Sequence, residues 1–172
     1  MTRGLWKSPQ HYIDSYWRSI PGVWLQGDLA SRDEDNLWYL HGRSDDTIKI
    51  AGKRTGPAEI EAVLIGTGLV SDAAVVGVPD TLTGSALACA CIPVSKPQDD
   101  SELIRDLADH VAEQLGAPYR PRHVVLVSDL PRTRNQKIMR RVVRAALTGT
   151  RPGDLSSLAN PEVVDQIKPL AI

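Results

Sequence analysis

Two arginines, an Asp-Asp pair and several glycines crowd onto a short apolar strand in Gly42-Arg43-Ser44-Asp45-Asp46-Thr47-Ile48-Lys49-Ile50-Ala51-Gly52-Lys53-Arg54-Thr55-Gly56-Pro57. A bare surface hairpin needs no arginine on each side of a buried strand, and Gly-Lys-Arg-x-Gly makes a poor strand. Two guanidiniums that can converge on one anion, with glycines that let backbone approach a ligand closely, point to phosphate handling. Lys137 stands on a loop just ahead of a helix, where a mobile ammonium can be delivered to developing negative charge. Asp28 follows Gly27 at the end of a strand. Its carboxylate suits a ribose diol, and a turn-capping aspartate explains it equally well. Arg140, Arg141 and Arg144 read as a solvated basic face, and Asp46 as a capping or salt-bridging residue.

Bulk properties narrow the classes. The chain has 172 residues, a formal charge of −1 and a pI near 6.4. That gives no general reason to expect a nucleic-acid or membrane partner. Arg132, Arg134, Lys137, Arg140, Arg141 and Arg144 could form a basic nucleic-acid face, but no aromatic stacking set accompanies them. Cys89 and Cys91 alternate on one strand, too close for an ordinary disulfide, and read as small buried residues. The scattered histidines show no metal site. No signal core or transmembrane run is visible, so the expected location is cytoplasmic.

The elements that position these groups follow from pattern. Ser8-Pro9 opens a helix with Tyr12, Ile13, Tyr16 and Trp17 on one face, stopped by Pro21-Gly22. Val23–Leu25 and Leu37–Leu40 read as strands joined by the polar turn 31–36. Thr47–Ile50 is a strand and Pro57 to about Ile65 a helix with Ile60, Val63 and Leu64 as its stripe. Proline at the first helical position and early acids explain Thr55–Glu61 without a catalytic role. Val70–Val78 and Ala86–Val94 read as core strands. Asp99-Asp100-Ser101 caps a helix with Leu103, Leu107, Val111 and Leu115 at every fourth position, ended by Gly116. His123–Val127 is a strand, Ile138–Leu147 a helix, and the tail 148–172 irregular surface chain. The expected fold class is α+β, a compact domain with a three-stranded sheet and helices on one side. All of Trp6, Trp17, Trp24 and Trp38 fall in the first forty-odd residues, a large apolar load that would normally pack against something more.

The 42–61 stretch resembles the linker and first lid strand of acyl-CoA synthetases in the AMP-forming adenylate superfamily. Leu130-Pro131-Arg132-Thr133-x-x-x-Lys137-Ile138-Met139-Arg140-Arg141 resembles the C-terminal motif of acetyl- and propionyl-type members, which usually have glycine where this chain has Gln136. Thr2-Arg3-Gly4-Leu5-Trp6 and Gly153–Pro161 are similar to the same members, so the likeness spans nearly the whole chain. It implies that residues 1–43 are a remnant of the large adenylate-binding domain and 44–172 the C-terminal lid, with a hinge at 44–46. Met1 falls where relatives have interior sequence, so the chain reads as a truncated or split reading frame.

The resemblance also implies roles. Lys137 would contact the acyl carboxylate and α-phosphate during adenylation. Asp28 would hold the ribose hydroxyls, Arg43 ribose or phosphate, and Arg54 the phosphate. Gly52 would line the pantetheine path and Asp45 would be the hinge. Carboxylate, ATP, Mg²⁺ and CoA would be the reactants, with none held tightly by this chain. The phosphate-cradling Ser/Thr/Gly loop and the acyl pocket are not in the sequence, so the chain alone is expected to be inactive. The alternative is a stand-alone lid that complements a separate N-terminal polypeptide, or a module regulated by acetylation and deacetylation of Lys137.

Overall fold

The computed structural model describes residues 2–50, 52–81 and 83–170, with residue 41 described by its backbone only. Of the positions invoked above, Met1 and Ala51 lie outside the described residues. The chain divides into two compact units, Met1–Asp45 and Asp46–Ile172.

The first unit has one helix, α1 (Pro9–Tyr16), and one hairpin, β1 (Asp28–Arg32) with β2 (Trp38–Arg43). Pro9 opens α1 as the sequence predicts. Tyr16 stacks on Trp24 with ring centroids 5.3 Å apart. The first strand, however, is not Val23–Leu25. The ladder closes through the turn at 33–37 and runs from Arg32↔Trp38 to Asp28↔Arg43, so residues 23–25 lie beyond its end. Asp33 fixes that turn, its carboxylate accepting from the Leu37 amide and the Tyr39 hydroxyl. Little of this unit is covered: α1 has no buried residue, and Trp6, Trp38 and Leu40 are 88%, 68% and 78% exposed.

The second unit is built on a three-stranded sheet. β5 (Val70–Asp80) pairs antiparallel with β6 (Gly84–Pro93), and β7 (His123–Leu126) adds parallel to β6. The parallel step needs a crossover, supplied by α3 (Asp100–Leu115). The Asp99 carboxylate caps α3 by accepting from the Ser101 and Glu102 amides. A small hairpin, β3 (Ile48–Ile50) with β4 (Lys53–Thr55), precedes α2 (Pro57–Gly66), so Lys53-Arg54-Thr55 does form a strand. Pairing with β3 and burial of Thr55 opposite Ile48 outweigh its weak intrinsic preference.

Helices lie on both faces of the sheet, not on one side as the pattern suggested. Val75, Leu87, Cys89 and Cys91 pack with Ile60 and Leu64 of α2 and Leu107 and Val111 of α3. Ala74, Val76, Ala88 and Ala90 pack with Val143 and Leu147 of α4 (Arg140–Thr148) and with Ile167. Strands apolar on both faces must be covered on both. Ala73–Val76 and Ala86–Cys91 are such runs. The tail supplies part of that cover. It forms a short 3-10 helix at Pro161–Gln166 that buries Val163 and, just beyond it, Ile167, so it is not loose surface chain. Burial pushes the Cys89 thiol well up and the Cys91 thiol up to about 12, which makes both unreactive core residues.

The hairpin docks on the sheet through one close approach. A Cβ at Gly77 of β5 would lie 2.9 Å from Cγ2 of Ile48, a buried and rotationally stiff side chain. Gly77→Ala is expected to destabilise the chain by about 1–3 kcal/mol. In a double-mutant cycle read by urea denaturation, combining it with Ile48→Ala should cost clearly less than the sum of the two. Additive losses would mean that this contact does not seat the hairpin.

Candidate functional site

In the first unit Asp28, Arg43 and Asp45 come together. Gly27, at φ +91°, turns the chain into β1, so Asp28 opens that strand where the sequence placed it at a strand's end. Arg43 stands opposite Asp28 in the register. Its Nε donates to Asp45 Oδ1 at 3.0 Å and its Nη1 to the Gln26 carbonyl at 2.9 Å, while Nη1 lies 3.6 Å from Asp28. A Cβ on Gly27 would come within 3.0 Å of Nη2, so glycine lets the guanidinium lie against the backbone. All three charged groups are exposed, and such ion pairs contribute little to stability. They arrange a carboxylate and a guanidinium at one strand end.

Arg54 and Gly52 belong to the second unit. Arg54 pairs with Lys49 across the exposed face of the β3–β4 hairpin, two cations side by side. Like charges placed so are unfavourable without an anion nearby. Gly52 stands in the turn between the strands at φ +79°, with open space where a Cβ would be. It is therefore a turn residue and not part of a strand. Any side chain there meets backbone strain before it could obstruct a ligand.

Lys137 is presented by a tight hairpin. The Thr133 amide donates to the Lys137 carbonyl and the Gln136 amide to the Thr133 carbonyl, both at 2.8 Å, and Arg132 bridges Ile138. Arg134, Asn135 and Gln136 form the loop, with Gln136 at φ +61°. Three-residue loops of this kind end in a left-handed residue, for which glycine is favoured. The side chain of Lys137 is exposed and makes no hydrogen bond or ion pair among the described residues. It borders an open groove of about 450 Å³ lined by Thr133, Arg134, Asn135, Ser156 and Ser157. Gln136→Gly should stabilise the chain by about 0.5–1 kcal/mol, the released strain less the added chain entropy. A lowered denaturation midpoint would show that the loop does not hold this shape.

Arg140 is not a solvated cation. Its guanidinium grips Glu61 in bidentate fashion, Nε to Oε1 at 2.7 Å, and lies 3.5 Å from Asp46. Hydrogen bonding to Glu61 raises its pKa further, against the opposing effect of burial. Glu61 also accepts from the Val75 amide at 2.9 Å, so one nearly buried carboxylate ties α2, β5 and the start of α4. The signal was present: Pro57, Ile60, Glu61 and Leu64 share one helical face, and a carboxylate in such a stripe requires a partner. Glu61→Ala should cost on the order of 3 kcal/mol, since it strands a charge and an amide together. Glu61→Gln, which can still accept from Val75, should cost less by thermal denaturation. Equal losses would deny the amide bond any share. Arg141 is also engaged, donating to the Asp154 carbonyl, while Arg144 is exposed as expected.

Among the described residues no cluster of histidine, cysteine and carboxylate groups could hold a metal ion, and no helix is long and apolar enough to cross a membrane.

Residues 59–137 match the family described as the AMP-binding enzyme C-terminal domain. An acetyl-coenzyme A synthetase of Methanothrix thermoacetophila is 40% identical over 171 residues, covering 97% of this chain and 26% of that relative. Among solved structures, the anthranilate CoA ligase AuaEII in complex with anthranoyl-AMP is 33% identical with a TM-score of 0.67, over 80% of this chain and 26% of that one. The amide bond synthetase McbA from Marinactinospora thermotolerans is 30% identical with a TM-score of 0.66, over 83% and 28%. The chain thus spans about a quarter of the length of the relatives it matches.

Proposed function

From its membership of the AMP-binding enzyme C-terminal domain family, we propose that this chain is the lid-bearing part of an AMP-forming short-chain acyl-CoA synthetase. The full reaction would join a carboxylate to CoA, using ATP and releasing AMP and pyrophosphate. Acetate is the first substrate to test, given the name of the Methanothrix relative. The observation that carries this reading is Lys137: an exposed ammonium at a hairpin, bordering a groove, inside a motif shared with such enzymes. Lys137 would donate to the acyl carboxylate and the α-phosphate as charge develops there. Asp28 and Arg43 would hold ribose and phosphate, and Arg54 a phosphate. Gly52 would lie on the pantetheine path, and Asp45 would be the hinge on which the lid turns between half-reactions.

The Mg²⁺-bound triphosphate and the acyl group would be held by the part of such an enzyme to which these residues do not correspond. The work is expected to take place in the cytoplasm. The apolar surface of the first unit, with Trp6, Trp38 and Leu40 in the open, favours a second reading. In it, this chain pairs with a separate adenylate-binding polypeptide. The exposure of Lys137 equally suits reversible acetylation, which would remove the charge.

Purified chain mixed with acetate, ATP, Mg²⁺ and CoA should release no pyrophosphate or AMP. Joined to the adenylate-binding part of a relative, it should. In that joined enzyme Lys137→Ala should lower acyl-adenylate formation by about 10²–10³-fold and leave thioester formation from supplied acyl-AMP unchanged. Equal loss in both half-reactions would refute the assignment of Lys137.

A further inference from the structure

The tail reaches back to the Lys137 hairpin. Thr133 bridges Leu158 in antiparallel fashion and the Ala159 amide donates to the Arg132 carbonyl at 2.8 Å, so residues 158–159 lie along the hairpin as a single bridge. Asn160 completes the contact with all of its side-chain polar atoms. Its Oδ1 accepts from the Arg132 amide, and its Nδ2 donates to Asp129 Oδ2 and to the Leu130 carbonyl, each at 2.9 Å.

Asparagine before proline at a helix start ordinarily caps that helix. Asn160 precedes the 3-10 helix at Pro161–Gln166 and makes no side-chain cap. Its amide is spent on the segment entering the lysine loop. Both sides of Asn160 are anchored. Arg141 holds the Asp154 carbonyl upstream, while Val163 and Ile167 are buried downstream. Arg132 is itself fastened, to Asp72 on β5 and to Asp129, and its Nη1 lies 3.4 Å from the Gln136 carbonyl. The loop it carries has a glutamine at φ +61°, so its shape is not the one its own sequence prefers.

We propose that Asn160 is a positioning residue for Lys137, latching the tail to the strand that carries the lysine hairpin. The importance of that lysine rests on the functional reading above, whereas the latch is a property of this chain alone.

Amide hydrogen exchange on the 172-residue chain tests the latch directly. With Asn160→Ala, the Thr133, Gln136 and Lys137 amides should exchange about tenfold faster or more, while Val75 and Cys89 in the sheet stay within about twofold. Asn160→Asp keeps the acceptor but sets a carboxylate against Asp129, so it should not restore protection. Unchanged loop amides would overturn the proposal, as would equal acceleration of loop and sheet or rescue by Asn160→Asp. If Asn160→Ala does not fold, Asn160→Ser, which is too short to make the three bonds of the asparagine amide, should accelerate the same amides and spare the sheet; no acceleration would overturn the latch. In the joined enzyme Asn160→Ala should lower kcat for adenylation with KM for ATP unchanged. A loosened loop with full adenylation would overturn the positioning role of Asn160, whereas loss of the Lys137 role itself is read separately from Lys137→Ala.

Discussion

A sheet with no polar face governs this molecule. β6 lies between β5 and β7, and from Ala86 to Cys91 every side chain is apolar and buried. Its alanines and cysteines are small, so covering layers approach closely on both sides. One face takes α2, α3 and the β3–β4 hairpin; the other takes α4 and the tail. The demand for a second cover fixes where α4 must lie, and with it the lysine hairpin that leads into α4. The Lys137 end of the unit is thus located by hydrophobic burial, and the polar contacts refine its position.

Those contacts act at both ends of the hairpin. On the entering side, Asn160, Asp129 and Arg132 gather around residues 129–132. Hydrogen bonds from the Leu130 amide, Asn160 and Arg132 hold the Asp129 carboxyl below its usual range despite the opposing effect of partial burial. On the leaving side, Arg140 is clamped by Glu61 and Asp46. Asp46 is the first residue of the second unit, next to the Arg43–Asp45 pair that closes the first.

What the sequence made legible was local. The cap of α3 by Asp99, the stripe ending at Gly116 and the start of α2 at Pro57 depend on neighbours within a few residues, and each stands where the pattern put it. The strand at 28–32 was misread because its position depends on a register set by a partner ten residues on. The two-sided sheet could have been inferred from Ala73–Val76 and Ala86–Cys91, whose burial lacks the alternation of a one-sided strand. Glu61 with Arg140 is 79 residues apart in sequence and Asn160 with Arg132 is 28. No local pattern encodes such pairings, so the contacts that hold the lysine hairpin were found only in the fold, whereas Lys137 drew attention through its motif.

The buried tail also sets an order for the birth of the protein. Ile167 closes a face whose strands were made some 80 to 90 residues earlier, and the Leu170 amide bonds the Leu147 carbonyl at the end of α4. During synthesis β5, β6 and α3 can gather while the rest is still being added. The alanine-lined side of the sheet must wait for its last cover. Until then the nascent chain carries an uncovered apolar surface, and that interval is when chaperones have most to hold.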